Sequence, residues 1–359
     1  MQLHNVVAVR VLQYNVNPQG VKMFKKLLVA GAMLLSTLSY SLAADPFKVG
    51  FVYVGPVGDH GWTYMHDIGR QAVEEKFGDA VETVFVESVP EGPDAERVMR
   101  NMIADGVDMI FTTSFGYMEQ TIKVAKENPN ILFEHATGYK TAPNVSVYSS
   151  RFYEGRYIQG MIAGTMSKTG KAGYIASFPI PEVIRGINAF YLGATKVNPN
   201  FDIDVVWVNT WYDPPKEADA AKVLMANGAD IITQHTDSPA PLAAAAQEGI
   251  KGFGQASDMI SFAPDTQLTA ILDVWGPYYI ARVQAAMDGT WTETNTWGGM
   301  DTGMVAMAPM TNMPADLAAK AEMMAEHITM GHLKPFGDLD DGALATMMEY
   351  VDGLDAAKP

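Results

Sequence analysis

The chain has 359 residues, 48% of them hydrophobic, with 25 Lys and Arg against 41 Asp and Glu, a formal net charge of −16 and no cysteine. That balance argues against a nucleic-acid partner, whose phosphates need clustered Lys and Arg. The missing cysteine excludes disulfides, a Cys-type zinc site and a lipid anchor, which needs a cysteine at the cleavage point.

Residues 1–43 read as an address rather than as fold. Met23-Phe24-Lys25-Lys26 precedes LLVAGAMLLSTLSY and then Ser41-Leu42-Ala43. A short basic start, an apolar region too short to span a bilayer and small residues at −3 and −1 make a secretory signal cut after Ala43, with residues 1–22 as an upstream extension. Cutting there leaves 316 of the 359 residues, enough for two domains with cores. Arg10, Lys22, Lys25 and Lys26 leave with the segment and no acid does, so the charge becomes −20. No later stretch approaches 18 consecutive apolar residues, so the expectation is a periplasmic protein, not membrane-embedded and not lipid-anchored.

The remaining chain alternates apolar runs with helical spacing. KVGFVYV (48–54), VETVFVES (81–88), VDMIFTTS (107–114) and ILFEHA (131–136) read as strands, separated by helices over 62–77, 93–104 and from 115 to about 126. Short continuous apolar strands between such helices imply parallel βαβ units with both sheet faces covered. The pattern restarts with a helix over 152–166, then strands 172–177, 202–209, 229–235, 251–256 and 268–273 with helices 182–196, 218–227 and 239–247 between them. Two doubly wound lobes follow: 44–149 plus 275–359 as lobe 1 and 150–274 as lobe 2. Hinge-like crossovers are expected near 146–152 and 268–275, and helices over 276–287 and 315–327 return to the first lobe.

Ligands of open α/β sheets sit beyond the carboxyl ends of the strands. There the chain places Asp59, His60 and Trp62, then Ser114, Phe115 and Tyr117, then Glu134 to Gly138. In the second half it places Ser177 to Pro179, Asn209 to Asp213, Gln234 to Asp237, and Gln255 to Asp258. Aromatics, carboxylates, amides and hydroxyls dominate, and no Lys or Arg appears. A phosphate ligand wants cations or a glycine-rich loop; a flat, uncharged, hydrogen-bonding ring wants apolar faces and a polar edge. Trp62 in GDHGWTY reads either as a packing residue at a helix start or as a ring platform. Trp211, on the matching turn of the other half, supports the platform. Phe115 and Tyr117 read as cleft wall or core, and Asp213 before Pro214-Pro215 as a helix N-cap. Arg151, Glu154 and Arg156 read as an ion-pair cluster at the hinge. His60, His135 and His235 follow different strands without ligand spacing, and the seven histidines show no HExxH, so no metal or cofactor is expected. Neither GxSxG, GxGxxG after the first strand nor GxxxxGK[ST] occurs, so nothing marks an enzyme.

KVGFVYVGPVGDHGWTYMHDIG, DMIFTTSFGYME, FYEGRYIQGMIAG, NTWYDPPKEADAAKVLMANGADIITQHTDSP and LTAILDVWGPYY, in that order over most of residues 46–310, resemble the BMP (basic membrane protein) family. These are solute receptors of ABC importers, similar to purine nucleoside receptors. The resemblance implies a type I periplasmic-binding-protein fold with a purine-like ligand held between two aromatic rings. It assigns the rings to Trp62 and Trp211, a neighbouring carboxylate to Asp213 and a ribose-binding carboxylate to Asp258. Two departures stand out. Asp273 occupies the place where nucleoside-binding members put a lysine, and Gln234 to Asp237 replaces a small glycine-rich turn. Both favour a free base such as adenine, with Asp273, helped by Asp258 or Asp237, taking a ring N–H that ribose blocks in a nucleoside. The expected function is delivery of a purine by a monomer to an inner-membrane ABC permease. A receptor for nucleosides or another planar solute such as a flavin, a periplasmic nucleoside hydrolase and a DNA-binding regulator are the alternatives. The hydrolase lacks a nucleophile or metal constellation, and the regulator lacks a place for its helix-turn-helix.

Overall fold

The structure is a computed structural model that describes residues 45–358; the expected signal peptide and its cleavage point fall outside them. Among the described residues, twelve strands form two sheets of six. In the first sheet β1 (Phe47–Val52) lies between β2 (Val81–Val86) and β3 (Met109–Thr112). Then come β4 (Leu132–Ala136), β5 (Val145–Ser150) and β11 (Asn295–Gly298), every pair parallel. In the second sheet β6 (Lys171–Ala176) lies between β7 (Asp202–Trp207) and β8 (Ile231–His235). It continues through β9 (Lys251–Gly254) and β10 (Gln267–Asp273), with β12 (Val305–Met307) as an antiparallel edge. Both sheets are doubly wound with the same strand order, and a crevice opens where that order reverses: between β1 and β3 in one lobe, between β6 and β8 in the other.

The strands read as unbroken apolar runs because helices cover both faces; every residue of β3 and β8 is buried. In lobe 1 the covering helices are α1 (Trp62–Phe77), α2 (Pro93–Ala104), α3 (Met118–Glu127) and α8 (Gly276–Met287), which packs on α1. Phe51 and Phe111 stack at 4.9 Å in this core, with Tyr279 of α8 against both. In lobe 2 the helices are α4 (Tyr153–Met166), α5 (Pro181–Val197), α6 (Pro214–Ala226) and α7 (Ala240–Gln247). The helices α4 and α5 touch backbone to backbone. A Cβ on Gly160 would sit 2.0 Å from the Phe190 carbonyl oxygen, and one on Gly193 2.0 Å from that of Tyr157, so only glycine fits.

The chain passes between the lobes three times, at 150–153, 273–276 and 298–305, and the passes lie side by side. The Arg151 N–H donates to Gly298 O (2.6 Å) and the Val274 N–H to Met304 O (3.0 Å). The third pass was not expected from the sequence, nor were β5 and β11. The strand β5 carries buried Ser146 and Ser150 among its apolar residues, and β11 is a short NTWG edge, so neither shows a strand-like apolar run. The helix expected over 315–327 returns to the wrong lobe in the sequence reading. As α9 (Ala315–Thr329) it buries Leu317, Ala321 and Ile328 with Phe190 and Phe253 of lobe 2. The chain after it, including α10 (Asp341–Ala345), stays there: Arg185 donates to Leu344 O (2.7 Å), Asn188 to Glu349 O (2.9 Å) and Trp207 to Ala357 O (2.9 Å).

Candidate functional site

A cavity lies where the two crevices face each other, and the space among its side chains, including the part open to solvent, is about 360 Å³. Lobe 1 contributes Val54, Trp62, Ser114, Phe115 and Thr137, all on loops or helix starts just past β1, β3 and β4. Lobe 2 contributes Ile180, Glu182, Trp211, Asp237 and Gln255, past β6, β7, β8 and β9, and His235, the last residue of β8. Only about 30 Å³ of that space is room for a water-sized molecule, well below the roughly 300–1,000 Å³ usual for small-molecule sites, so the side chains here stand closed on one another.

Each indole is oriented by its own N–H. Trp62, the first residue of α1, donates to Thr113 O (2.7 Å), and its ring meets those of His66 and Trp275 edge to face at 4.3 and 5.6 Å. Beneath it His66 stacks on Trp275 and pairs with the Tyr279 hydroxyl, which meets the Tyr148 hydroxyl at 2.8 Å. Trp211 leans on Phe178 (5.1 Å) and donates across the cleft to Glu91 Oε1 (3.2 Å). Glu91 Oε1 also accepts from Ser114 Oγ (2.5 Å) and the Gly116 N–H (3.1 Å). A second contact between lobes joins the Gly61 N–H to Ser257 Oγ (2.8 Å).

The polar edge is acidic and held by burial. Asp237 is pushed well above the usual carboxylate range by burial and by Glu217, Glu182 and Asp273, opposed by a hydrogen bond from the Trp62 backbone. Burial also raises Glu182, against the pull of Arg185 and Arg156. His235 is held neutral by burial and by the same two guanidiniums, and its Nδ1 has no partner. Arg156 is fully buried and committed to Gln159 Oε1 (3.0 Å), Thr233 Oγ1 (3.0 Å), Gln234 O (2.5 Å) and Gln255 Oε1.

Of the residues singled out from sequence, Trp62, Phe115, Trp211 and Asp237 face this one cavity. Asp59 is exposed on the loop before α1. Asp213 caps α6, accepting from the Lys216 N–H (3.2 Å). Asp258 accepts from Gln267 Nε2 (2.7 Å) and the Ile260 N–H (3.1 Å), which ties down its own loop. Asp273 is fully buried and does not line the cavity; burial pushes its carboxyl well up, against the pull of the Ser150 hydroxyl, which stands outside good hydrogen-bond geometry. The expected ion-pair cluster of Arg151, Glu154 and Arg156 does not form. Arg151 pairs with Asp341 (2.9 Å) and Asp301 (3.8 Å), Glu154 accepts from the Met300 N–H (2.8 Å), and Arg156 points into lobe 2. Glu182 and Glu91 were missed as site residues. Glu182 stands six residues beyond its strand in a helix's first turn, and Glu91 follows β2, whose trailing loop showed no aromatic signal.

Comparison with known proteins agrees with this architecture. The family described as ABC transporter substrate-binding protein PnrA-like matches residues 47–330. A purine-binding protein of Brucella abortus (strain 2308) is 55% identical over 92% of this chain and 98% of its own. A putative ABC transporter glucose-binding protein of Haloferax volcanii is 36% identical over 88% of this chain and 82% of its own. The solved solute-binding protein of an ABC transporter system from Aeropyrum pernix K1 superposes with TM-score 0.70 at 20% identity, covering 83% of this chain and 95% of that one. A second, from Conexibacter woesei, gives 0.62 at 21%, covering 80% and 98%. At those identities the structures speak for the fold alone, and it is the two-lobed α/β fold expected from sequence. No helix among the described residues is long and apolar enough to cross a membrane. The chain is therefore a solute binder rather than an enzyme, taking a small molecule and working with a permease, and it belongs to the PnrA-like (Bmp) family of ABC-transporter substrate-binding proteins.

Proposed function

We propose that the protein binds a purine, as the free base, between Trp62 and Trp211 and carries it through the periplasm to an inner-membrane ABC permease. The observation that carries the reading is the cavity itself. Two indoles, one from each lobe, face the same narrow cavity, whose rim holds carboxylates rather than cations. A phosphate or carboxylate ligand would meet the wrong charge there, whereas a purine offers two faces to stack and N–H donors for the edge. The purine-binding name of the Brucella relative points the same way.

Calorimetry with adenine, adenosine and glucose tests this. Adenine is expected to bind at least about tenfold more tightly than adenosine, since a nucleoside adds bulk and lacks the ring N–H, and glucose is expected not to compete. Stacking on an aromatic is worth roughly 1–3 kcal/mol per base, so Trp62→Ala and Trp211→Ala should each weaken adenine by about ten- to a hundredfold. A preference for adenosine would make this a nucleoside receptor, and tight glucose binding would overturn the purine reading.

A further inference from the structure

Glu182 differs from the other acids of the cleft. It lies in the first turn of α5 directly after Pro181, whose ring fixes the backbone there. It faces the cavity with Trp62, Trp211 and Asp237. Both guanidiniums in its neighbourhood are engaged elsewhere. Arg185 donates to Leu344 O (2.7 Å) and lies over the rings of Tyr153 and Trp297, and Arg156 is tied to Gln159, Thr233 and Gln234. Among the described residues no protein donor reaches the Glu182 carboxylate, while Asp213, Asp258, Glu91 and Glu217 all accept hydrogen bonds within the fold.

The rest of the edge holds few free donors, chiefly the neutral ring of His235 and the Gln255 amide group. The Trp62 N–H is spent on Thr113 O, the Trp211 N–H on Glu91, and Gln255 Oε1 accepts from Arg156. What faces the ligand includes a pair of acids, Glu182 and Asp237; Asp237 accepts from the Trp62 backbone N–H, whereas Glu182 is left for a donor on what binds between the rings. A buried acceptor set against another acceptor is left unsatisfied, and a site built around a hydrogen bond discriminates strongly against the partner that cannot make it.

Resting on the purine reading, we infer that Glu182 is a specificity-determining residue that accepts from an exocyclic amino group, so that the site takes amino-purines in preference to oxo-purines. With Glu182 ionised, above the value to which burial raises it, an oxo oxygen at that position would point its lone pairs at the carboxylate. An amino group there donates to it.

The test is calorimetry of adenine and hypoxanthine on the wild-type protein, Glu182→Gln and Glu182→Asp. The wild type should favour adenine by at least about tenfold, in line with hydrogen-bonding sites generally. Glu182→Gln keeps the shape and adds a donor. It should weaken adenine, strengthen hypoxanthine and shrink or reverse the ratio. Glu182→Asp keeps the acceptor at a shorter reach and should weaken adenine while retaining the preference, which covers the case where the glutamine variant folds poorly. If both bases bind and the ratio is the same in all three proteins, Glu182 does not read the ligand and the inference falls while the purine reading stands. If neither base binds the wild type, the purine reading fails and takes the inference with it.

Discussion

Gly61 holds φ at 95° immediately before α1, a backbone shape that costs a side chain of order 1–3 kcal/mol. Its N–H reaches Ser257 of the other lobe, and a Cβ there would come within 2.3 Å of the Asp237 carbonyl oxygen. Gly61→Ala should therefore obstruct the approach of the lobes and lower ligand affinity by more than about tenfold, one such contact being worth ~1.4 kcal/mol or more; unchanged affinity by calorimetry would mean the lobes do not meet here when ligand is bound. Glu91 works at the same scale. Glu91→Ala removes the acceptor of Trp211, Ser114 and the Gly116 N–H. Hydrogen bonds to a charged group contribute about 1.5–3 kcal/mol, less where solvent screens them, so stopped-flow release of ligand should speed up by roughly five- to tenfold. Residues of this kind were only partly legible in the sequence. Trp62, Phe115, Trp211 and Asp237 follow strands and carry conspicuous side chains. Glu182, lodged in a helix's first turn, resembles an ordinary dipole-favoured acid. Asp258 and Asp213 sit in the right turns but bond to their own backbone, a local competition that residue order does not display.

Elements were easier to see than their neighbours. Runs such as VDMIFTTS or ADIITQH leave little choice but a strand covered on both faces, and α8 was placed over 276–287 as observed. The strand β5 was hidden by its serines and β11 by its brevity. The attachment of α9 is a tertiary fact: an amphipathic helix shows that it must cover a core without showing which one. Pairing between helices has a residue signature only where backbones touch, as at α4 and α5. Gly160→Val would drive a branched side chain into the Phe190 carbonyl 2.0 Å away. Overpacking of this kind costs typically ~1–3 kcal/mol, so the thermal midpoint should fall by several degrees, with lobe 2 affected first in hydrogen exchange; an unchanged midpoint would show that the two helices slide apart without cost.

Across the whole molecule the buried acids share one bias. Burial is the first cause of the raised values of Asp237, Asp273, Glu182, Glu217 and Glu134, and it pushes Glu154 at the hinge to about 7. Each keeps its proton in the folded chain at a pH where the unfolded chain has released it. The folded state then binds more protons, so stability is lost as pH rises between the ordinary and the raised value. The thermal midpoint should accordingly decline from about pH 4.5 to about 7, and Glu154→Gln should flatten part of that decline; a midpoint that climbs over the same interval would contradict the sign. The hydrogen bond from Trp211 to Glu91 has an optical consequence. It bridges the lobes and exists only while they meet. An indole that trades a carboxylate and the neighbouring Phe178 ring for bulk water emits at longer wavelength, so opening and closing should be visible in the protein's own fluorescence. Trp62 beside the same cavity adds to the signal. The chain has no cysteine to interfere. A single thiol introduced at exposed Tyr212, next to Trp211, would take a dye at that position alone, turning the cleft into a reagentless sensor for whatever solute closes it.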